Sequence, residues 1–275
     1  MKPVDNEPAL IIKTDEGDIN LVIADIHLGF EESLEEKGVN LPSQTSKLIA
    51  KAIKLIQKNK ANRLIILGDL KHQVPGMSKR ELNEVITFLE AIKDMHTEIL
   101  FIPGNHDGGL PDVIEEMGLA KVCDSRGIML RTIGGRVIGL THGHAWPSDE
   151  VISNADVLIV GHTHPVVELV DTLGYRYLEP VWVKVRVNQD VLKDKYYDNV
   201  DAVKLKCVIV EPHFNTFLSG NIINRPDVMR PLLGPLLESD AIMIEEAEIF
   251  LLDGTYLGTL RNIRLFASRS SSLQE

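Results

Sequence analysis

Cysteine is almost missing from this chain. Only Cys123 and Cys207 occur, far apart and in no Cys-x-x-Cys pattern. One disulfide is the most they could make, and two reduced, buried thiols of a cytosolic protein are the expectation. Basic residues are outnumbered, with 29 Lys and Arg against 40 Asp and Glu and a net charge of −11. That argues against a surface coated in positive charge for gripping nucleic acid, although bound metal cations would not enter such a count. No apolar run approaches the ~18 residues of a membrane span. The opening MKPVDNEPALIIKTDEGD has no apolar stretch of signal-peptide length. Internal repeats, long linkers and coiled-coil heptads are also lacking. A cytoplasmic chain with no membrane partner is expected.

What is present is ordinary for a globular protein: 275 residues, 44% hydrophobic and 25% charged. ALIIK (9–13) and INLVIA (19–24) read as strands joined by a turn. Helices are expected over 43–60, with Ser43 as N-cap, over 78–95, with Ser78 and Glu81 as a capping box, and over 111–118. Further strands are expected over 63–68, 98–104, 127–143 (two, around Gly134-Gly135), 156–161, 166–171, 180–187 and 205–212, with a hairpin over 248–260. Helices alternate with strands in the first half and strands dominate the second, which suggests layered α/β with mixed sheets between helices. One domain over 1–267 is expected. The polar stretch 188–204 reads as a surface insertion and 268–275 as a disordered tail.

Seven of the nine histidines, all but His96 and His213, sit just behind apolar strands. LVIADIH supplies Asp25 and His27, and LIILGDLKH supplies Asp69 and His72. ILFIPGNHD gives Asn105, His106 and Asp107. VIGLTHGH gives His142 and His144, and VLIVGHTH gives His162 and His164. Strand carboxyl ends of an open α/β sheet form the crevice where ligands bind, so these residues can converge from distant parts of the chain. Carboxylates, an amide and imidazoles without a thiolate suit Mn, Fe, Ni or Zn. There are too many donors for one four-coordinate ion. Two ions sharing a bridging carboxylate would use them all, and such pairs suit in-line displacement at phosphorus. Chance alone produces short Asp-x-His strings, and Gly-Asp carries nothing by itself. All five groups in one order, each behind a strand, set chance aside.

The ordered set DIH, GD, GNHD, HG and GHTH resembles the calcineurin-like metallophosphoesterases. GDLKH, PGNHDGG, LTHGHAWP and GHTHP are similar to an SbcD-related subgroup that includes archaeal phosphoesterases and bacterial DNA ligase-associated ones. The five motifs span roughly residues 19 to 168, and EPVWVKV and VEPHFN resemble the subgroup's closing strands. The resemblance implies a four-layer α/β/β/α sandwich with two mixed sheets. It implies two divalent ions, with Mn(2+) the first choice. Asp25, His27 and His164 would hold one ion, and Asn105, His142 and His162 the other, with Asp69 bridging. His106 would act as general acid, with Asp107 orienting its imidazole, and a metal-bridging hydroxide would attack phosphorus.

Some positions keep two readings. His144 faces the ions' surroundings or the substrate. His72 stands near the site or is a loop histidine bonded to backbone. Trp146 lines the cleft or packs inside. His213 stands where the subgroup resemblance leads one to expect a small residue, and it receives no assignment.

The subgroup resemblance points to a phosphodiester substrate, DNA or RNA, with a helicase or ATPase partner docking on the folded surface. The acidic balance weighs against tight nonspecific DNA binding. Lys47, Lys51, Lys54 and Lys58 form a helical stripe read as a solvated face. Tyr196 and Tyr197 read as part of a surface loop, with base stacking as the alternative. A small-metabolite phosphatase is the second reading. A non-catalytic scaffold ranks last, because all seven ligand positions and His106 are intact.

Overall fold

The strands alternate faces and are apolar on both. In β4 (Arg63–Leu67), Leu64 and Ile66 turn one way and Ile65 and Leu67 the other, all buried. In β9 (Val157–Val160), Val157 and Ile159 oppose Leu158 and Val160 in the same manner. Such strands must be covered on both faces. The computed structural model, which describes residues 1–171, 173–195, 202–225, 227–228 and 231–272, meets that demand with four layers, helix–sheet–sheet–helix.

The first sheet runs β1 (Lys2–Pro3), β2 (Leu10–Lys13), β3 (Ile19–Ala24), β4, β5 (Glu98–Ile102) and β6 (Lys121–Val122) in spatial order. From β3 to β6 the neighbours are parallel. Its outer face packs on α2 (Thr45–Asn59), α3 (Lys79–Lys93) and α4 (Leu110–Glu116) through Leu48, Leu55, Val85, Phe88 and Ile114. The second sheet runs β13 (Asn221–Ile222), β10 (Pro165–Val170), β11 (Arg176–Arg186), β12 (Cys207–Val210), β9, β8 (Val137–Leu140) and β7 (Ile128–Arg131). The hairpin of β14 (Glu248–Leu251) and β15 (Tyr256–Thr259) joins it through β11. Here β8, β9 and β12 are mutually parallel. Its outer face is covered by α5 (Asp149–Asn154), α6 (Gln189–Lys195) and α7 (Leu260–Ser272). Leu10, Val22, Ile65, Leu67 and Ile102 meet Ile138, Leu140, Ile159 and Trp182 between the sheets. Each such side chain contributes roughly 1.5–3 kcal/mol by leaving water.

The expected strands and the three expected helices are present, and five differences are physical. The N-cap of α2 is Gln44, one residue past Ser43, and it makes no side-chain cap bond. Residues 189–195 form α6, whose Leu192 is fully buried in the outer core, so this part of the expected insertion belongs to the packing. Tyr196 and Tyr197 lie outside the described residues. Of the expected disordered tail, 268–272 are helical as the end of α7, and 273–275 lie outside the described residues. Cys123 and Cys207 are free thiols and only half-buried. The lysine stripe is also not wholly solvated: Lys51 donates to the Phe214 carbonyl at 3.0 Å and lies over the Phe214 ring. No helix among the described residues is long and apolar enough to cross a membrane.

Candidate metal centre

Parallel strands from both sheets end at one edge of the sandwich, and their loops carry the polar residues. β3 leads to Asp25 and His27, β4 to Asp69 and His72, and β5 to Asn105, His106 and Asp107. From the second sheet, β8 leads to His142 and His144, and β9 to His162 and His164. Five of these residues have left-handed backbones: Asp25 (φ 56), His27 (46), Asp69 (48), His162 (67) and His164 (50). Each such conformation costs on the order of 1 kcal/mol or more, and persists only when the surroundings fix it. Two glycines show how tight the loops are. A Cβ on Gly104 would stand 2.2 Å from Asp69 Oδ1, and one on Gly161 would stand 2.6 Å from Asp25 Oδ2.

Two trios result, each with ligand atoms mutually within 4.8 Å: Asp25, His27 and His164, and Asp69, His142 and His162. In the first, His164 Nε2 is 3.2 Å from Asp25 Oδ1 and 3.3 Å from His27 Nε2. In the second, His142 Nε2 is 3.3 Å from Asp69 Oδ2 and 3.2 Å from Asn105 Oδ1. Asp69 Oδ2 also lies 3.6 Å from His27 Nε2, so one carboxylate oxygen borders both trios. The ligand positions implied by the family resemblance therefore stand together, Asn105 among them.

Backbone and carbonyl bonds aim the donors. His142 Nδ1 donates to the Leu67 carbonyl at 2.8 Å, leaving Nε2 as the free lone pair. The His162 amide donates to both Asp25 oxygens, at 3.2 and 3.0 Å. The His106 amide donates to Asp69 Oδ1 at 2.9 Å, which leaves Oδ2 for the crevice.

Asp25 and Asp69 are 0% and 2% exposed. Buried carboxylates at such depth are paired or coordinate metals. Burial pushes both carboxyls up, but the neighbouring imidazoles outweigh it and hold both below the usual range. Burial drags His27 down to about 3 and His162 to about 4, keeping them neutral and ready to donate a lone pair. His142 goes the other way. Burial lowers it, but Asp69, Asp25 and the Leu67 carbonyl together raise it to about 9. A divalent cation would replace that proton as partner to both carboxylates. The donor set, two carboxylates, an amide oxygen and four imidazoles without thiolate, fits a pair of such ions.

The remaining residues divide by contact. His106 Nδ1 bonds to the His72 carbonyl at 2.5 Å, and Nε2 faces Asp69 Oδ2 at 3.8 Å. The His72 carbonyl therefore orients this imidazole, and the expectation that Asp107 does so is corrected. Asp107 Oδ2 accepts from the Gly104 amide at 2.7 Å, and Oδ1 from the Leu70 and Lys71 amides at 2.9 and 3.2 Å. Its carboxylate is consumed in tying the β4 and β5 loops together. Burial, and then Asp69, push it up to about 6. His72 stands in the site, with Nδ1 3.3 Å from His27 Nδ1, and forms a third group with His27 and His106. His144 lies beside His142, ring centres 5.3 Å apart. Trp146 is half-buried and packs on the outer core of the second sheet.

Sequence reasoning missed three residues. Glu81, read only as a capping residue, does take that place, its amide donating to Ser78 Oγ at 2.9 Å. Its carboxylate goes elsewhere: Oε1 accepts from the His72 and Gln73 amides at 2.8 and 2.7 Å and holds the His72 loop. Glu211 and His213 follow β12, the sixth strand ending at this edge. VIVEPH repeats the pattern of an apolar strand followed by acid-x-histidine, and that signal was available. Removing the Glu81 carboxylate leaves two loop amides without an acceptor. Glu81→Ala is expected to lose about 1–3 kcal/mol in urea unfolding. An unchanged midpoint would contradict the clamp.

Comparison with known proteins adds the family. A model described as calcineurin-like phosphoesterase matches residues 21–187. No curated protein matches the chain. Among solved structures, the nuclease MPE of Pseudomonas putida is similar at 18% identity, covering 92% of this chain and 96% of that one, with a TM-score of 0.48. YfcE, a phosphoesterase from E. coli, is similar at 14% identity over 87% and 96%, with a TM-score of 0.38. The matched span takes in every residue of both trios and Asn105. The chain belongs to the calcineurin-like phosphoesterase family, which makes it a metal-dependent phosphoester hydrolase.

Proposed function

We propose that this chain is a two-metal phosphodiesterase acting on nucleic acid or nucleotide-like diesters, with Mn(2+) the first choice of ion. The observation that carries the reading is the pair of adjoining trios bordered by a single Asp69 oxygen. Two divalent ions held there would supply an activated water and neutralise charge on the phosphoryl oxygens. The protein's own residues do the rest. The His162 and His106 amides keep Asp25 and Asp69 aimed into the crevice. The Leu67 carbonyl fixes the His142 tautomer. His106 is held outside the trios by the His72 carbonyl, a fit acceptor for Nδ1–H, so that Nε2 can deliver a proton to the departing alkoxide.

A polymeric diester is favoured by a hairpin that projects past the strand ends at this edge. β11 pairs with the end of β12 at Val183↔Val210, and its earlier half pairs with β10. Tyr177 lies six residues before Val183, so the β10–β11 hairpin reaches about 20 Å past the strand ends at ~3.3 Å per residue. Tyr175 and Tyr177 share one face of it and are 71% and 46% exposed. Two exposed aromatic rings on a hairpin that starts directly after His164 suit base stacking.

Two outcomes are expected. With Mn supplied, His106→Ala keeps both ions and loses roughly 10²–10⁴-fold in turnover of bis-p-nitrophenyl phosphate, while Asp69→Ala loses metal as well. Elemental analysis and steady-state rates check this, and full activity in both variants contradicts the assignment. Preference for p-nitrophenyl phosphate over the diester would favour a small-metabolite phosphatase instead. Replacing Tyr175 and Tyr177 together by Ala should weaken single-stranded DNA binding by about tenfold or more, leaving cleavage of the small diester unchanged. Equal DNA affinity in the variant would remove the hairpin from substrate recognition.

A further inference from the structure

Two side chains at the metal edge belong to neither trio. β12 continues into Glu211, Pro212 and His213, beside the loop that carries His162 and His164. Glu211 is wholly buried, and neither carboxylate oxygen has a hydrogen-bond partner. His213 is 4% exposed, and its Nδ1 has none either. Buried polar groups are nearly always satisfied, and a buried carboxylate without a partner is among the costliest exceptions.

Both groups point to the first trio. The Glu211 amide donates to the Val160 carbonyl at 2.7 Å, next to Gly161, whose missing side chain leaves room for Asp25 Oδ2. The Phe214 amide donates to the Ala24 carbonyl at 2.8 Å, and Asn215 Nδ2 donates to the Ile26 carbonyl at 2.9 Å. The segment is thus stitched to the β3 loop on both sides of Asp25. Burial first, and then Asp25, of its own sign, push the Glu211 carboxyl well above the usual range. His213 lies with its ring centre 5.2 Å from that of His164. Histidine pairs within the trios, His27–His164 and His142–His162, are 5.0 Å apart.

A buried, unpartnered carboxyl near a buried carboxylate makes sense when a cation sits with them. We propose that Glu211 and His213 are positioning residues for the first metal pocket, strengthening the hold of Asp25, His27 and His164 on their ion. This rests on the two-metal reading above. With the ion bound, Glu211 would add negative charge near Asp25, and His213 packs beside His164. Without the ion, Glu211 only destabilises the fold. Residues supporting metal ligands typically change affinity by 10–100-fold when removed.

The test titrates Mn(2+) into metal-free full-length protein by isothermal calorimetry, with thermal melts of the same samples. Wild type should bind two equivalents. Glu211→Leu, which fills the same space without charge, should weaken one of the two sites by 10–100-fold and leave the other unchanged. The metal-free variant should melt at the same temperature as wild type or higher. Glu211→Gln keeps the shape, and it should lose the same affinity. His213→Ala should weaken the same site. A purely structural role would lower the melting temperature of the Leu variant without selecting one site. If wild type binds two ions and all three variants bind both as tightly, this inference is overturned while the two-metal reading stands. If wild type binds none, both fall.

Discussion

The rest of the structure depends on one electrostatic constraint. Asp25 and Asp69 are buried within a few ångströms of five imidazoles, at the edge where two sheets meet. Negative charge at such depth needs a positive partner. The protein itself offers only what protonated imidazoles can supply, and His27 and His162 are held neutral by burial. The proposed pair of divalent cations would answer the charge. It would also account for the left-handed backbones of five neighbouring residues, all of them members of the two trios.

The sandwich makes this convergence possible. β3, β4 and β5 are parallel in one sheet, and β8, β9 and β12 are parallel in the other. Both sets end at the same edge, so six loops scattered from residue 25 to residue 213 face one crevice. The apolar layers between and outside the sheets hold those ends in register. Asp107 and Glu81 do not face the crevice. They tie its loops to one another and to α3, spending carboxylates on backbone amides.

Much of this was legible in the sequence, because it is written locally. Unbroken apolar runs in RLIIL and VLIV set two-sided strands, and a strand that stops at Gly-Asp or Gly-His-Thr-His announces a polar end. What was not legible depends on partners distant in the chain. Glu81 looked like a capping residue because Ser78 is three residues away, while the His72 and Gln73 amides it serves are visible only in three dimensions. Asp107 follows His106 directly, and proximity in sequence suggested a partnership that the loop geometry denies. Leu192 was hidden in a polar stretch and α7 in a serine-rich tail, since composition says little about a helix held by packing at one end. Glu211 and His213 repeat the pattern of the other strand ends, but the resemblance gave them no role.

The central claim is that the two trios hold two cations across Asp69. Crystals grown with Mn(2+), measured with anomalous scattering at the manganese edge, test it most directly. The account predicts two peaks ~3.5–4 Å apart, one among Asp25, His27 and His164 and the other among Asp69, Asn105, His142 and His162. A single peak elsewhere, or none at saturating manganese, would contradict it.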